Sequence, residues 1–259
     1  MQKLLASIAL TLLSCNALAI TPEQRGLEIA MEADRRDTGW SDQKSDTRMV
    51  LHNRHGQTST RKMHNRSLEV HGDGDKSMII FDHPKDVKGT AFLTYTHATK
   101  ADDQWLYLPA LKRVKRISSN NKSGPFMGSE FAYEDLSSQE VEKYTFKYIK
   151  DDKFEGRDVF VVERYPTYKH SGYKRQIVYM DKIMYQPLKV VFYDRKNSLY
   201  KTLLFKDYHL HIDKYWRAGI MEMTNNQSGK STELIWETIK FKNNLSDSNF
   251  TKNSLKRAR

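Results

Sequence analysis

Cysteine is almost missing from this 259-residue chain: one residue, Cys15, is the whole complement. It falls inside an N-terminal segment that reads as a leader. Met1-Gln2-Lys3 carries one positive charge, Leu4 to Ser14 is an apolar or small run, and Ala17-Leu18-Ala19 offers the small-x-small pattern of a signal peptidase site. Cleavage after Ala19 leaves a chain starting at Ile20 with no cysteine. Disulfides, thiolate nucleophiles and cysteine metal sites are then excluded together. A second reading stays open, because Leu12-Leu13-Ser14-Cys15 loosely resembles a lipobox in which Cys15 would be lipidated.

Long hydrophobic runs are missing too. The leader's apolar stretch is too short to span a bilayer, and nothing after it approaches the roughly eighteen apolar residues of a membrane helix. No Pro/Gly/Ser-rich linker or composition break divides the remainder, so residues 20–259 read as one domain. There is no Gly-x-Ser-x-Gly, and Ser129 after Gly128 lacks the setting of a serine nucleophile.

Charge, by contrast, is abundant and one-sided. Lys and Arg number 43 against 32 Asp and Glu, a formal net charge of +11 that loses one unit with Lys3. For an exported chain this points away from nucleic acid and toward anionic head groups, a transiently met membrane surface or an acidic partner. The densest cluster is Lys112, Arg113, Lys115 and Arg116. On a strand such charges guard an exposed edge against aggregation, or form a docking patch for phosphate head groups or a protein partner.

Thr21-Pro22-Glu23 supplies an N-cap, an N1 proline and an early acid, and apolar residues follow at helical intervals. A helix over Thr21–Arg36 is expected, ending near Thr38-Gly39 and covering one face of a sheet. Beyond Trp40, strand-like segments alternate with turn signals about every dozen residues, as in antiparallel all-β proteins. Strands are expected at 47–53, 58–70, 76–81, 91–97, 104–108, 113–117, 144–150, 159–165, 174–180, 188–193, 200–212, 216–225 and 231–241, with a short helix over 247–255. The fold class is mainly β. A large antiparallel sheet with an apolar face and little helix must curl around something, giving an unclosed half-barrel with helices lining or lidding its concave side.

Ser118 to Gln139 breaks the strand pattern and carries Phe126, Met127, Phe131 and Tyr133 among glycines and polar residues. A long loop of this kind is either a lid over an apolar ligand or a plug of the half-barrel core. Glu130, Glu134 and Asp135 could serve as paired acids, but acids at a short helix start more often cap it or pair with bases. Asp207, His209 and His211 share a strand face and form a weak metal candidate. They are more simply the polar side of an amphipathic strand, and no metal or other cofactor is expected.

Two stretches are distinctive: Asp102-Asp103-Gln104-Trp105-Leu106-Tyr107-Leu108-Pro109 running on to Ile117, and Ser123-Gly124-Pro125-Phe126-Met127-Gly128 running on to Leu136. Together with Gly89–Tyr95, Pro187–Asp194, Met223-Thr224-Asn225 and the Gly229 turn, they resemble the LolA-like outer membrane lipoprotein-sorting protein family across the whole of residues 20–259. The resemblance implies a twisted, unclosed antiparallel barrel whose concave cavity takes acyl chains of lipoproteins or lipids in the periplasm. It also implies a neighbouring inner-membrane exporter of the resistance-nodulation-division type as a possible partner. Trp105, Tyr107, Phe126, Met127, Phe131 and Tyr133 are the candidate cavity or gate residues. Lys112, Arg113, Lys115 and Arg116 are the candidate head-group or partner contacts. The expected role is a non-enzymatic carrier, and the alternative is an accessory protein that docks on the exporter with a self-filled core.

Overall fold

The structure, a computed structural model, describes residues 20–258. The leader, its cleavage site and Cys15 lie outside these residues. Helix α1 (Pro22–Asp37) opens with a capping box: the Thr21 hydroxyl accepts from the Gln24 amide at 3.1 Å, and the Gln24 side chain accepts from the Thr21 amide at 2.9 Å. The chain leaves it through extended Thr38 and through Gly39, whose φ of +100° suits glycine.

Thirteen strands follow: β1 (Asp42–His52), β2 (Thr58–Leu68), β3 (Lys76–His83), β4 (Ala91–Tyr95), β5 (Asp103–Leu108), β6 (Arg113–Ile117), β7 (Tyr144–Phe154), β8 (Arg157–Pro166), β9 (Tyr173–Asp181), β10 (Pro187–Asp194), β11 (Leu199–His211), β12 (Tyr215–Asn225) and β13 (Ser231–Phe241). Each expected strand is present. The largest boundary difference is at β1, which starts five residues before the expected Thr47 because Asp42 pairs with β2 and Gln43 to Asp46 pair on both sides despite their polarity. A 3-10 turn (Asp247–Phe250) and helix α2 (Lys252–Arg257) form the expected C-terminal helical tail.

All strand pairs are antiparallel, and they form one sheet in the order β6-β5-β4-β3-β2-β1-β13-β12-β11-β10-β9-β8-β7. Two meanders, β1 to β6 and β7 to β13, are therefore joined along a central seam where β1 meets β13. The outer edges are β6 and β7, and the sheet does not close into a barrel. It is nonetheless strongly curled. One apolar cluster gathers Met63, Phe81 and Phe92 from the first meander with Val178, Phe192 and Leu203 from the second. The curl shows in the segment between β6 and β7, where the Tyr133 carbonyl accepts from Gln104 of β5 while Asp135, two residues on, accepts from Tyr173 of β9. The two meanders therefore face each other across this cluster, and it marks the concave face.

Because β6 and β7 are opposite edges, the segment between them must cross the sheet. Residues 118–143 do so through the concavity, and Phe126 and Phe131, at 0% and 1% exposure, are buried in the cluster. Near the other edge α1 covers the same face, with Ile29 against Tyr144, Phe146, Phe160 and Val162. A Cβ on Gly26 would lie 2.8 Å from the Tyr148 backbone nitrogen, so glycine lets the helix rest on the strand backbone. The convex face is also apolar in places. Over β3 to β5 it carries Met78, Ile80, Leu93 and Trp105, which Phe250 and Leu255 of the C-terminal tail bury.

Candidate functional site

A cavity of about 660 Å³ lies on the concave face between α1, strands β8 to β12 and the end of the crossing segment. This is the size range of small-molecule and cofactor sites. Its floor is apolar. Alternation along β9 to β11 turns Val178, Val190, Phe192 and Leu203 inward, all of them buried, and Ala30 and Ala33 of α1 face them.

Acids gather on another side of it, among neutral residues and Arg164. Asp34 and Asp37 come from α1, Glu69 and Asp75 from the β2–β3 connection, and Glu140 and Glu142 from the stretch before β7. Several lining residues here are exposed, Asp34, His71, Gln139 and Glu142 among them, which makes this side the mouth. Burial pushes the Asp75 carboxyl up to about 6, with Glu69 and Asp37 adding to the effect. Burial likewise pushes Glu140 up to about 7, reinforced by the charges of Asp75, Asp34 and Glu142.

The crossing segment is clamped at both ends on one carboxylate. Asp102, in the β4–β5 turn, meets Lys143 Nζ at 2.6 Å and Lys122 Nζ at 3.6 Å, and both lysine side chains are under one-tenth exposed. Lys122 also donates to the Asp102 carbonyl at 2.7 Å. Between these clamps Gln104, fully buried, donates to the Tyr133 carbonyl at 3.0 Å and the Ser137 hydroxyl at 3.2 Å.

The three loop acids are structural ligands of this segment. Glu130 accepts from Asn225 at 2.7 Å. Glu134 accepts from Tyr168, Ser171 and the Gly172 amide at 2.8–2.9 Å. Asp135 accepts from the Ala132 amide at 2.7 Å and the Tyr173 hydroxyl at 2.9 Å. Their partners are hydroxyls, amides and an asparagine. Asp135 caps the short helical turn Tyr133–Leu136, one of the two roles expected for these acids, and none of the three forms an ion pair with a base among the described residues. Met127 sits in the left-handed region at φ +50°, and its carbonyl accepts from the Arg61 guanidinium.

None of the six candidate cavity residues lines the cavity. Trp105 and Tyr107 face the convex side, Trp105 beneath the C-terminal tail with Tyr95 at 5.1 Å, because it is Leu106 between them that points into the concave core. Phe126, Met127, Phe131 and Tyr133 belong to the concave core beside the cavity, with the Phe126 ring tilted against Phe92 at 5.2 Å and edge-on to Tyr133 at 5.5 Å. They plug the half-barrel, and the same segment reaches the cavity further along, through Asp135, Ser138, Gln139 and Glu140.

Lys112, Arg113, Lys115 and Arg116 are exposed at the β5–β6 turn and on edge strand β6. They divide between faces: Arg113 and Lys115 alternate with Val114 and Arg116, and Arg116 pairs with Asp103. Ser129 donates to the Phe126 carbonyl at 2.7 Å. Among the described residues no group of three or more His, Cys, Asp or Glu is placed to hold a metal. His209 pairs with Asp207 at 3.1 Å, and His211 packs against Phe241.

The cavity walls were partly readable. The alternation of β9 to β11 is legible, but which parity faces inward is not, and the acids of its mouth are scattered over three segments whose meeting depends on the crossing.

Comparison with known proteins places this architecture. A family model described as "-like: Uncharacterized protein" matches residues 73–257. A solved domain from Vibrio parahaemolyticus, described as an outer membrane lipoprotein-sorting protein domain, is 60% identical, with a TM-score of 0.89 over 91% of this chain and 100% of that one. A DUF1329 family protein from Desulfovibrio piger is 31% identical, with a TM-score of 0.86 over 91% of this chain and 99% of that one. A LolA superfamily protein from Nitrosomonas europaea, 17% identical with a TM-score of 0.70 over 88% and 98%, shares the fold. Comparison with curated proteins gives no match. The chain belongs to the LolA-like outer membrane lipoprotein-sorting protein family.

Proposed function

We propose that this protein is a periplasmic carrier that binds the acyl part of a lipoprotein or lipid, exported by a leader cut after Ala19 and working as one domain over residues 20–259 without catalysis. The observation that carries the reading is the apolar-floored cavity on the concave face, in a chain 60% identical to a domain described as lipoprotein-sorting. Burying a methylene contributes about 0.8 kcal/mol. Ten methylenes then contribute about 8 kcal/mol before association costs of at least about 4 kcal/mol, enough for reversible holding. Phe126, Phe131 and Tyr133 pack the core beside the cavity, and the charges of Lys112, Arg113, Lys115 and Arg116 give edge strand β6 a surface for anionic membranes or a partner.

Native mass spectrometry with lipid extraction tests this on protein purified from the periplasm. A stoichiometric acylated species, lost in Ala33→Trp, whose indole would fill the void from the helix side, is the expected result. An empty protein that also ignores added amphiphiles would refute it and favour the accessory protein docking on an exporter.

A further inference from the structure

We infer that the cavity selects an amphiphile whose polar end is a cation, an alkylammonium-type head seated at the mouth with its chain on the apolar floor. The inference rests on the proposal that the cavity takes an acyl or alkyl chain, and it runs against the protein's overall charge. A chain with a formal net charge of +11 would be expected to favour anionic ligands, yet the cavity has the opposite sign.

Asp34, Asp37, Glu69, Asp75, Glu140 and Glu142 converge on one void that also contains the Val178, Val190 and Leu203 floor. Not all of these acids are free. Asp37 pairs with Arg217 at 2.6 Å, and Glu69 accepts from the Gly39 and Ser41 amides. Asp75 accepts from the Val70 amide at 3.1 Å and, more distantly, from Ser138. The carboxylates of Asp34, Glu140 and Glu142 have no hydrogen-bond or ion-pair partner among the described residues. One lining guanidinium faces them, that of Arg164, and it is already held. It donates to Gln176 at 2.7 Å and to Gln139 at 3.1 Å, and lies 4.5 Å over the Tyr144 ring.

The mouth therefore concentrates negative charge that the protein compensates only in part, through Arg217 on Asp37, Lys143 near Glu140 and the charge of Arg164. The mutual repulsion shows in Glu140, held up by Asp75, Asp34 and Glu142 as well as by burial. An ammonium placed there gains attraction from several carboxylates at once in a partly desolvated site, whereas a fatty-acid carboxylate or a phosphate adds a like charge. The basic cluster on β6 does not offset this, since none of its residues reaches the cavity.

Twelve-carbon amphiphiles below their micelle concentrations provide the test: dodecyltrimethylammonium, laurate and neutral dodecyl maltoside, titrated calorimetrically into the chain from residue 20 at pH 8 and low salt. Dodecyltrimethylammonium should bind about tenfold tighter than laurate, the preference shrinking with added salt. Asp34→Asn, at an exposed helix position, and Glu140→Gln should each reduce the preference, weakening dodecyltrimethylammonium binding by more than they change dodecyl maltoside binding. Equal affinities for cation and anion, or a preference for laurate, would overturn the charge selection and leave the carrier reading standing. Failure of all three to bind would overturn both.

Discussion

The clamp on Asp102 makes a demanding prediction. Asp102→Ala removes the one carboxylate shared by Lys122 and Lys143, whose side chains are 8% and 9% exposed. Two buried ammonium groups would then lose their only ion-pair partner among the described residues, with Asp103 and Glu140 left as more distant acids, and burial already lowers the Lys122 pKa despite Asp102. Removing one partner of a buried pair costs about 3–5 kcal/mol, because the remaining charge stays desolvated. A loss at the lower end of that range is expected, since Lys122 keeps its bond to the Asp102 carbonyl. Urea unfolding followed by tryptophan fluorescence reads the change directly. The double variant with Lys143→Met should recover part of the loss, since the second change removes a stranded charge while keeping the aliphatic stem. A loss under about 1 kcal/mol would refute the reasoning, placing the pair in the range of exposed salt bridges. So would a double variant no more stable than the single one.

Three further outcomes follow from the packing. Gly26→Ala should destabilise by about 1–3 kcal/mol, because its Cβ would come within 2.8 Å of the β7 backbone and lift α1, and thermal unfolding would show it. Leu255→Ala should cost about 2–5 kcal/mol and loosen the tail over β3 to β5, visible as faster amide exchange in Met78 and Ile80. The mouth acids should make stability fall as pH rises. The folded-state pKa of Glu140 is raised to about 7 from an ordinary 4.5, and that of Asp75 to about 6 from 3.8. The folded protein therefore binds these protons more tightly than the unfolded chain, and their contribution fades between about pH 4 and pH 7. Glu140→Gln should flatten that part of the urea-midpoint profile, and an unchanged profile would remove Glu140 from the account.

The fold was legible because its signals are local. Alternation and turn residues located every strand, and Thr21-Pro22-Glu23 located the helix start. Candidate site residues were harder, for a physical reason. The parity of β5 separates Leu106 from Trp105 and Tyr107, but the sequence does not say which parity is concave, because an apolar tail buries the convex side as well. The aromatic loop was identified as unusual, yet its phenylalanines are filler. The contribution of this stretch to the cavity comes from Asp135 and from Ser138 to Glu142, where Val141 is the one apolar residue.

The central seam bears on how the molecule assembles in time. Each meander consists of neighbours in sequence and can form by short hairpin closures. The β1–β13 pairing instead joins positions such as Asp46 and Thr238, 192 residues apart. Until β13 emerges, β1 is paired on one edge only, with β2, and no strand pairing joins the two meanders into one concave face. Such long-range closure is slow and aggregation-exposed. The last cooperative step of folding is therefore expected to be a zipping of the two halves, the moment at which the cavity first exists.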